Sequence, residues 1–432
     1  MKMANMDDYF DVVIVGTGAA GLYCALNLPA RYRILLLTKQ KADESDSFLA
    51  QGGICMQHGE ADYRPFFDDT MRAGHYENNP ATVDLMIRSS NSIIRDLVRR
   101  GVRFARDDHG ALRFTREGAH SRPRILFHED ITGHEITQTL LNEVLRCENI
   151  ELREHTTLLD FFADASACGG VIAAGPDGEP RAIGAGAVVL ACGGIGGLYK
   201  NSTNFPHITG DAIAMALRHG VACEHLDYIQ IHPTTLYSHR KGRRFLISES
   251  VRGEGALLLD KNGNRFTNEL RPRDVVSAAI RAQMEKDGTD HVWEDMRPIG
   301  EAAIREHFPN ILERCKEEGY DPIHEPIPVV PAQHYFMGGI TADLSSRTAL
   351  PRLYACGETC CNGVHGRNRL ASNSLLESLV FAQRAADDIL YGEPPVFTGD
   401  KPDLAPYREQ EPLFAAYRQE VLIAIERSKN HE

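Results

Sequence analysis

The sequence contains no CxxC pair, and its ten cysteines are scattered. Closely paired thiols build zinc sites and dithiol redox centres, so neither is expected here. Cys360-Cys361 and the CxxxC of Cys356 and Cys360 read as small buried thiols rather than as metal ligands or disulfide partners. A CxxCH is also missing, which excludes attached c-type haem. No CxxxxC lies close behind the first βαβ unit, which argues against a pyridine-nucleotide disulfide reductase. Positive charge is scarce: 47 Lys and Arg face 60 Asp and Glu, a formal net charge of -13. Such a chain repels phosphate backbones, so nucleic acid is not an expected partner. An anionic substrate needs a local cationic pocket set against that background. Long apolar runs are absent too. The longest uncharged stretch, residues 182–199, carries six glycines and reads as a buried strand and a loop rather than a membrane span. Residues 1–10 are mixed and partly acidic, unlike a secretory signal, and a cytoplasmic location is expected.

What is present points to a large α/β protein. The 432 residues are too many for one core, and 43% hydrophobic with 25% charged residues is ordinary for a globular chain. FDVVIV, residues 10–15, reads as a buried strand, with a helix-like run following to Leu28 and a second buried strand at RILLLT, residues 33–38. That is a βαβ unit opening a doubly wound sheet. Helical spacing recurs over 82–100, with Gly101 as its stop, and over 133–146. AVVLA at 187–191 is a further buried strand, followed by a glycine-rich turn at 193–197. From about Asp227 to Gly339 the chain is richer in charge, His and Pro, which marks an inserted domain. A strand-and-glycine pattern returns at 345–357, and 374–390 reads as a helix.

Between the first strand and helix lies Gly16-Thr17-Gly18-Ala19-Ala20-Gly21. In a GxGxxG the first glycine makes the tight turn. The second lets backbone approach a pyrophosphate, and the third lets helix and strand pack. The helix N-terminus then offers amides and partial positive charge to the phosphates. Thr38-Lys39 stand where an acidic ribose ligand commonly ends the second strand. Lys39 either reaches ribose or phosphate or is an exposed lysine.

Ten segments in fixed order resemble one flavoprotein family: fumarate reductase and succinate dehydrogenase flavoprotein subunits together with L-aspartate oxidase. They are VVIVGTGAAGL, AQGGI, TREGAHSRPRIL, VLACGGIGGLY, TGDAIAMA, IQIHPT, RGEGA, RPRDVVSAAI, HYFMGGI and ACGETCCNGVHGRNRLASNSLLESL. The resemblance implies a Rossmann-like FAD-binding domain in two segments, 1–226 and 340–398. It also implies an inserted α+β capping domain at 227–339. Residues 399–432 are expected to begin a C-terminal helical region that is otherwise largely absent. Asp46, in DSFLAQGG, stands where the quinone-linked subunits attach FAD to histidine, so noncovalent FAD is implied. Glu117 in EGAHS replaces their glutamine and resembles the aspartate oxidases. A carboxylate attracts the ammonium group of an amino acid, whereas neutral glutamine does not. Arg367 in GRNR replaces an expected small residue.

By the same resemblance, Arg273 is the proton-transfer residue. Arginine is hardly ever deprotonated in proteins, so transient proton sharing and purely electrostatic stabilisation both fit. Arg369 is expected to grip a substrate carboxylate, and His232 and His334 to hydrogen-bond the carboxylates. Ser248 and Glu249 are further substrate contacts, and Glu117 with His120 serve the ammonium end. FAD is expected to contact the loop residues Gly16, Thr17, Gly18, Ala19, Ala20 and Gly21, along with Lys39. Around its ring system the expectation is Ser47, Phe48, Leu49, Ala50, Gln51, Gly52 and Gly53. Asp211 and Glu358 are read as polar contacts to FAD or as helix caps, and Ser374 and Leu375 as the start of a helix aimed at it. Arg252, Arg265 and Arg271 are read as structural or solvated.

The activity implied is oxidation of L-aspartate to iminoaspartate, with oxygen or fumarate as electron acceptor. It is the first step of de novo NAD biosynthesis, the imine passing to quinolinate synthase. A soluble fumarate reductase with noncovalent FAD and a catalytically silent FAD-binding module are the alternatives.

Overall fold

The computed structural model describes residues 8–240, 242–392 and 397–430, so most of the acidic N-terminal segment read for a signal lies outside it. Its central sheet runs Ile150–Arg153, Ile34–Leu37, Tyr9–Val15, Pro180–Leu190, Cys168–Ala174, Thr157–Ala163. The first four of these strands are mutually parallel. The long strand Pro180–Leu190 changes neighbour midway. Its first half pairs antiparallel with Cys168–Ala174, and its last three residues pair in parallel with Leu353–Ala355. The late strand thereby closes a sheet begun some 340 residues earlier, which explains the strand-and-glycine pattern returning after the middle of the chain.

Side chains of Tyr9–Val15 alternate between two cores. Val12 and Ile14 point to the layer holding helices Ala19–Asn27, Pro80–Arg100, Thr132–Val144 and Asn373–Tyr391. Phe10, Val13 and Val15 point to the layer with helices Asp211–Arg218 and Gln410–Lys429. Burial on both faces is why the strand reads as an unbroken apolar run. Helix Gln410–Lys429 lays Tyr417, Val421 and Ile425 against this second core, and Tyr417 donates its hydroxyl to Leu159 O at 2.7 Å.

A second sheet, antiparallel and ordered Ile229–Leu236, Ile327–Phe336, Val292–Asp295, Leu257–Leu259, has its own core with helices Arg273–Asp287 and Pro309–Glu317. Within it Glu294 is fully buried, and neither of its carboxyl oxygens has a hydrogen-bond partner among the described residues. Burial pushes this group up to about 8. A carboxyl raised in the folded state favours folding below its ordinary pKa and loses that contribution as pH climbs to the folded value. Glu294→Gln is therefore expected to gain melting temperature over the parent progressively from about pH 5 to about pH 8. Thermal melts of both proteins at several pH values check this, and a difference that stays flat across that range would refute it.

Candidate active site

The cleft opens at the carboxyl ends of the parallel strands, where open α/β sheets bind ligands. Its floor is formed by residues 15–18, 37–39, 191–193 and 356–358, each at or just past a strand end, and its roof comes from the second sheet. Gly16 turns at φ +115°, and a Cβ there would stand 2.0 Å from Ala191 O. A Cβ on Gly21 would stand 1.9 Å from Gly16 O. Only glycine lets loop, strand and helix meet this closely. Gly16, Thr17, Gly18 and Ala20 line the cleft. Ala19 and Gly21 do not, contrary to the sequence expectation. Ala19 is buried with its amide donating to Ser47 Oγ at 3.0 Å, and Gly21 serves packing.

Ser47, Phe48, Leu49, Ala50, Gln51, Gly52 and Gly53 all border the cleft. Lys39 is partly buried and engaged. Its ammonium pairs with Asp211 Oδ2 at 2.7 Å beside the loop, and Asp211 also accepts from Thr209 Oγ1. Asp211 is the first residue of helix Asp211–Arg218, whose N-cap is Gly210. Glu358 accepts the amide of Phe336 at 2.9 Å, and burial holds its carboxyl well above the usual range. Ser374 and Leu375 line the cleft at the start of helix Asn373–Tyr391. Three buried polar atoms along this wall, Ser45 Oγ, Asp46 Oδ2 and Gln51 Oε1, have no partner among the described residues. A glycine cradle, a helix N-terminus and waiting polar atoms fit FAD.

Glu117, Arg273, Arg369, His232, His334, Ser248 and Glu249 meet on one stretch of the cleft wall. Arg273 opens helix Arg273–Asp287, its Nε bonded to Glu249 and NH1 donating to Gln230 Oε1 at 2.8 Å. Burial alone would raise Glu249, but Arg273 and Arg252 hold it below its ordinary value. Arg369 is buried, with NH1 on Ser374 Oγ at 3.2 Å, its guanidinium 4.4 Å from the Tyr335 ring centre, and Nε without a partner among the described residues. Burial, and then the charge of Arg273, lower Arg369 to about 10, so it stays cationic at neutral pH. Burial and the nearby arginine also push His232 and His334 well below the usual imidazole value. Both are neutral. His334 Nδ1 meets Thr203 Oγ1 at 2.7 Å, while His232 Nε2 is buried without a partner among the described residues.

Glu117 is 3% exposed, and its two oxygens accept from Ser250 Oγ at 2.7 Å and Ser372 Oγ at 2.6 Å. Gly52 makes room for it, since a Cβ there would lie 2.5 Å from Glu117 Oε1. His120 is a correction: it stands behind the cleft, not on its wall. Arg124 donates to its Nδ1 at 2.8 Å, so Nε2 carries the proton and donates to Ala371 O at 3.0 Å. Burial lowers it to about 4, leaving a neutral ring with both nitrogens engaged. Arg124 in turn is fully buried between Asp62 and Asp69, an arrangement that fixes the loop carrying Glu117. Arg252 is also fully buried rather than solvated, donating to Glu269 O at 2.7 Å. Arg367 lies off the cleft, beside Glu77 and Tyr228. Gln230, Thr203, Ser250, Ser372 and Arg243 are neighbours of the site that the sequence reading passed over, although Gln230 and Ser372 lie inside matched segments.

The FAD binding domain family model matches residues 11–375. The L-aspartate oxidase of Clostridium perfringens is 48% identical over 380 residues, 88% of this chain and 86% of that protein. The chain belongs to the L-aspartate oxidase family. The L-aspartate oxidase of Clostridium acetobutylicum is 47% identical, across 88% of this chain and 87% of its own. Among solved structures, E. coli quinol fumarate reductase superposes with a TM-score of 0.83 at 31% identity, over 95% of this chain and 74% of that one. The fold is thus that of the fumarate reductase and succinate dehydrogenase flavoproteins, and the cofactor is FAD.

Proposed function

We propose that this chain oxidises L-aspartate to iminoaspartate, with oxygen or fumarate taking the electrons. The observation that carries this reading is a buried carboxylate, Glu117, on the same cleft wall as two guanidiniums, Arg273 and Arg369. Two cationic groups and neutral histidines suit two carboxylates, and an acidic group suits an ammonium. In this reading Arg369, His232 and His334 hold the acid ends, while Ser248 shapes the wall next to Glu249. Glu117 binds the amine, with His120 supporting its loop from behind. Arg273, braced by Glu249 and Gln230, serves the proton that the ammonium must lose as its α-carbon gives up hydride, so that C=N forms in balance. When bound, FAD supplies the two-electron acceptor for the hydride leaving the α-carbon. The loop Gly16–Gly18 with Ala20 would hold its pyrophosphate, Ser47–Gly53 and Ser374-Leu375 would border its ring system, and Lys39, Asp211 and Glu358 would offer it polar contacts. Residues 1–226 and 340–398 then form the FAD domain, 227–339 the capping domain, and 399–432 the start of a helical region.

The role is the opening step of NAD biosynthesis in the cytoplasm, with the unstable imine handed to quinolinate synthase. No helix among the described residues is long and apolar enough to cross a membrane. Anaerobic mixing with L-aspartate, followed by flavin absorbance, tests the reading. Bleaching is expected. A flavin that stays oxidised with L-aspartate but is reduced by succinate overturns it and favours fumarate reductase chemistry, which the likeness to quinol fumarate reductase makes the second reading.

Glu117→Gln separates the two. It removes the charge while keeping the shape. A charge-assisted bond to a buried partner is worth enough that KM for L-aspartate should rise by about ten- to a hundredfold. Fumarate, having no amine, should bind as well or better. Steady-state kinetics with both substrates check this, and equal losses on the two would refute the assignment of Glu117 to the amine.

A further inference from the structure

Burial and the charge of Glu249 both push Glu117 toward its neutral form, which could not attract an ammonium. The hydrogen bonds around it act the other way, and their direction can be read from partners that have no choice. The amide of Gly53 can only donate, and it donates to Ser372 Oγ at 3.2 Å. The one hydroxyl proton of Ser372 is then left for Glu117 Oε2, its sole acceptor among the described residues. On the other oxygen, Ser250 Oγ lies 2.7 Å from Glu117 Oε1. Its alternative neighbour, Ser248 Oγ, is farther at 3.3 Å and already accepts the Ser250 amide at 3.2 Å. Each carboxyl oxygen thus receives a proton. A neutral carboxyl would have to give one, stranding a serine proton in a buried place.

The backbone is consistent with a built arrangement. Ser372 sits at φ +62°, a left-handed conformation unfavourable for serine, directly before helix Asn373–Tyr391. Ser250 is not on the cleft wall at all. It is the second residue of helix Glu249–Gly253, buried, and reaches the cleft only through Glu117.

We propose that Ser250 and Ser372 are positioning residues that hold Glu117 as an oriented anion, and so set the preference of the site for an amino dicarboxylate over a plain one. This rests on the L-aspartate reading. The titratable and charged groups facing Glu117 are Glu249 and Arg273 from the two helices of the roof and Cys55 from the strand beneath. None of them is altered by removing a serine hydroxyl.

The test uses the FAD-loaded enzyme and anaerobic stopped-flow reduction, which separates Kd for L-aspartate from the limiting rate. Reduction of the parent enzyme by L-aspartate comes first; its failure would sink the substrate reading and not the serine argument. Ser250→Ala is expected to raise Kd for L-aspartate roughly tenfold, to change the limiting rate and the KM for fumarate by no more than about twofold, and to be rescued by Ser250→Thr. Losing a donor raises Glu117, so the acid side of the aspartate-affinity profile should move to higher pH. Equal weakening toward L-aspartate and fumarate, or no weakening of either, overturns the proposal. Should Ser250→Ala lose its flavin, Ser372→Gly serves. It relieves the left-handed strain but takes the acceptor from the Gly53 amide, so its melting temperature should change little while aspartate affinity falls. Unchanged aspartate affinity in that variant overturns the proposal as well.

Discussion

Arg273→Lys is expected to lower the limiting rate of flavin reduction by L-aspartate at least about a hundredfold, with FAD still bound. The argument is geometric. The Arg273 side chain is only 8% exposed and is held at both ends of its fork, through Nε to Glu249 and through NH1 to Gln230. Lysine keeps the charge, so Glu249 stays paired and the fold is expected to stand. It cannot engage two acceptors and present a further N–H to the substrate from one rigid plane. Fumarate would meet the same guanidinium, and its reduction needs a proton delivered to the carbon beside the one that takes hydride, so fumarate reduction should fall by a similar factor. That pattern is opposite to Glu117→Gln, which should spare fumarate. Stopped-flow reduction by L-aspartate and steady-state fumarate reduction, with absorbance confirming bound flavin, decide it. A lysine variant within about tenfold of the parent in both reactions would remove Arg273 from the chemistry.

Much of this geometry is legible in the amino-acid sequence. The first βαβ unit is visible because both faces of Tyr9–Val15 and Ile34–Leu37 are buried, which writes unbroken apolar runs into the chain. Arg273, Arg369, His232, His334 and Glu117 were gathered by matched segments, and they do share one cleft. The antiparallel pair Thr157–Ala163 and Cys168–Ala174 was passed over. Cys168–Ala174 is buried at every position, so it shows no alternation and offers no period to detect. His120 misled for a different reason. Sequence adjacency to Glu117 suggested a shared target, but the turn through Ala119, at φ +64°, sends His120 back toward Arg124. The serines on Glu117 were not singled out because a lone hydroxyl, inside a short helix at Ser250 or just ahead of a long one at Ser372, carries no signature of its partner. Ser372 lies 255 residues from the carboxylate it meets, and only the folded chain brings the two together.

Gly16→Ala is expected to yield protein without flavin, or too unstable to purify. Two costs add at this position. Alanine at φ +115° is strained, by about 1–3 kcal/mol. Its methyl would also stand 2.0 Å from Ala191 O and 2.7 Å from Ala191 C, backbone atoms at the end of the neighbouring strand that cannot rotate away. Relief requires the loop to leave that strand, and the loop is the floor under the dinucleotide. Gly178→Ala is the matched comparison, for Gly178 also has positive φ, +75°, but nothing lies within 4 Å of a Cβ there. That variant should lose only the backbone term and keep its flavin, because Gly178 sits in a turn away from the cleft. The ratio of flavin to protein absorbance in the two purified variants gives the answer, and melting temperatures locate the cost. A Gly16→Ala protein with full flavin content would mean that the strand end at Ala191 can retreat without disturbing the cradle, and the fit of this loop to FAD would have to be argued from other contacts.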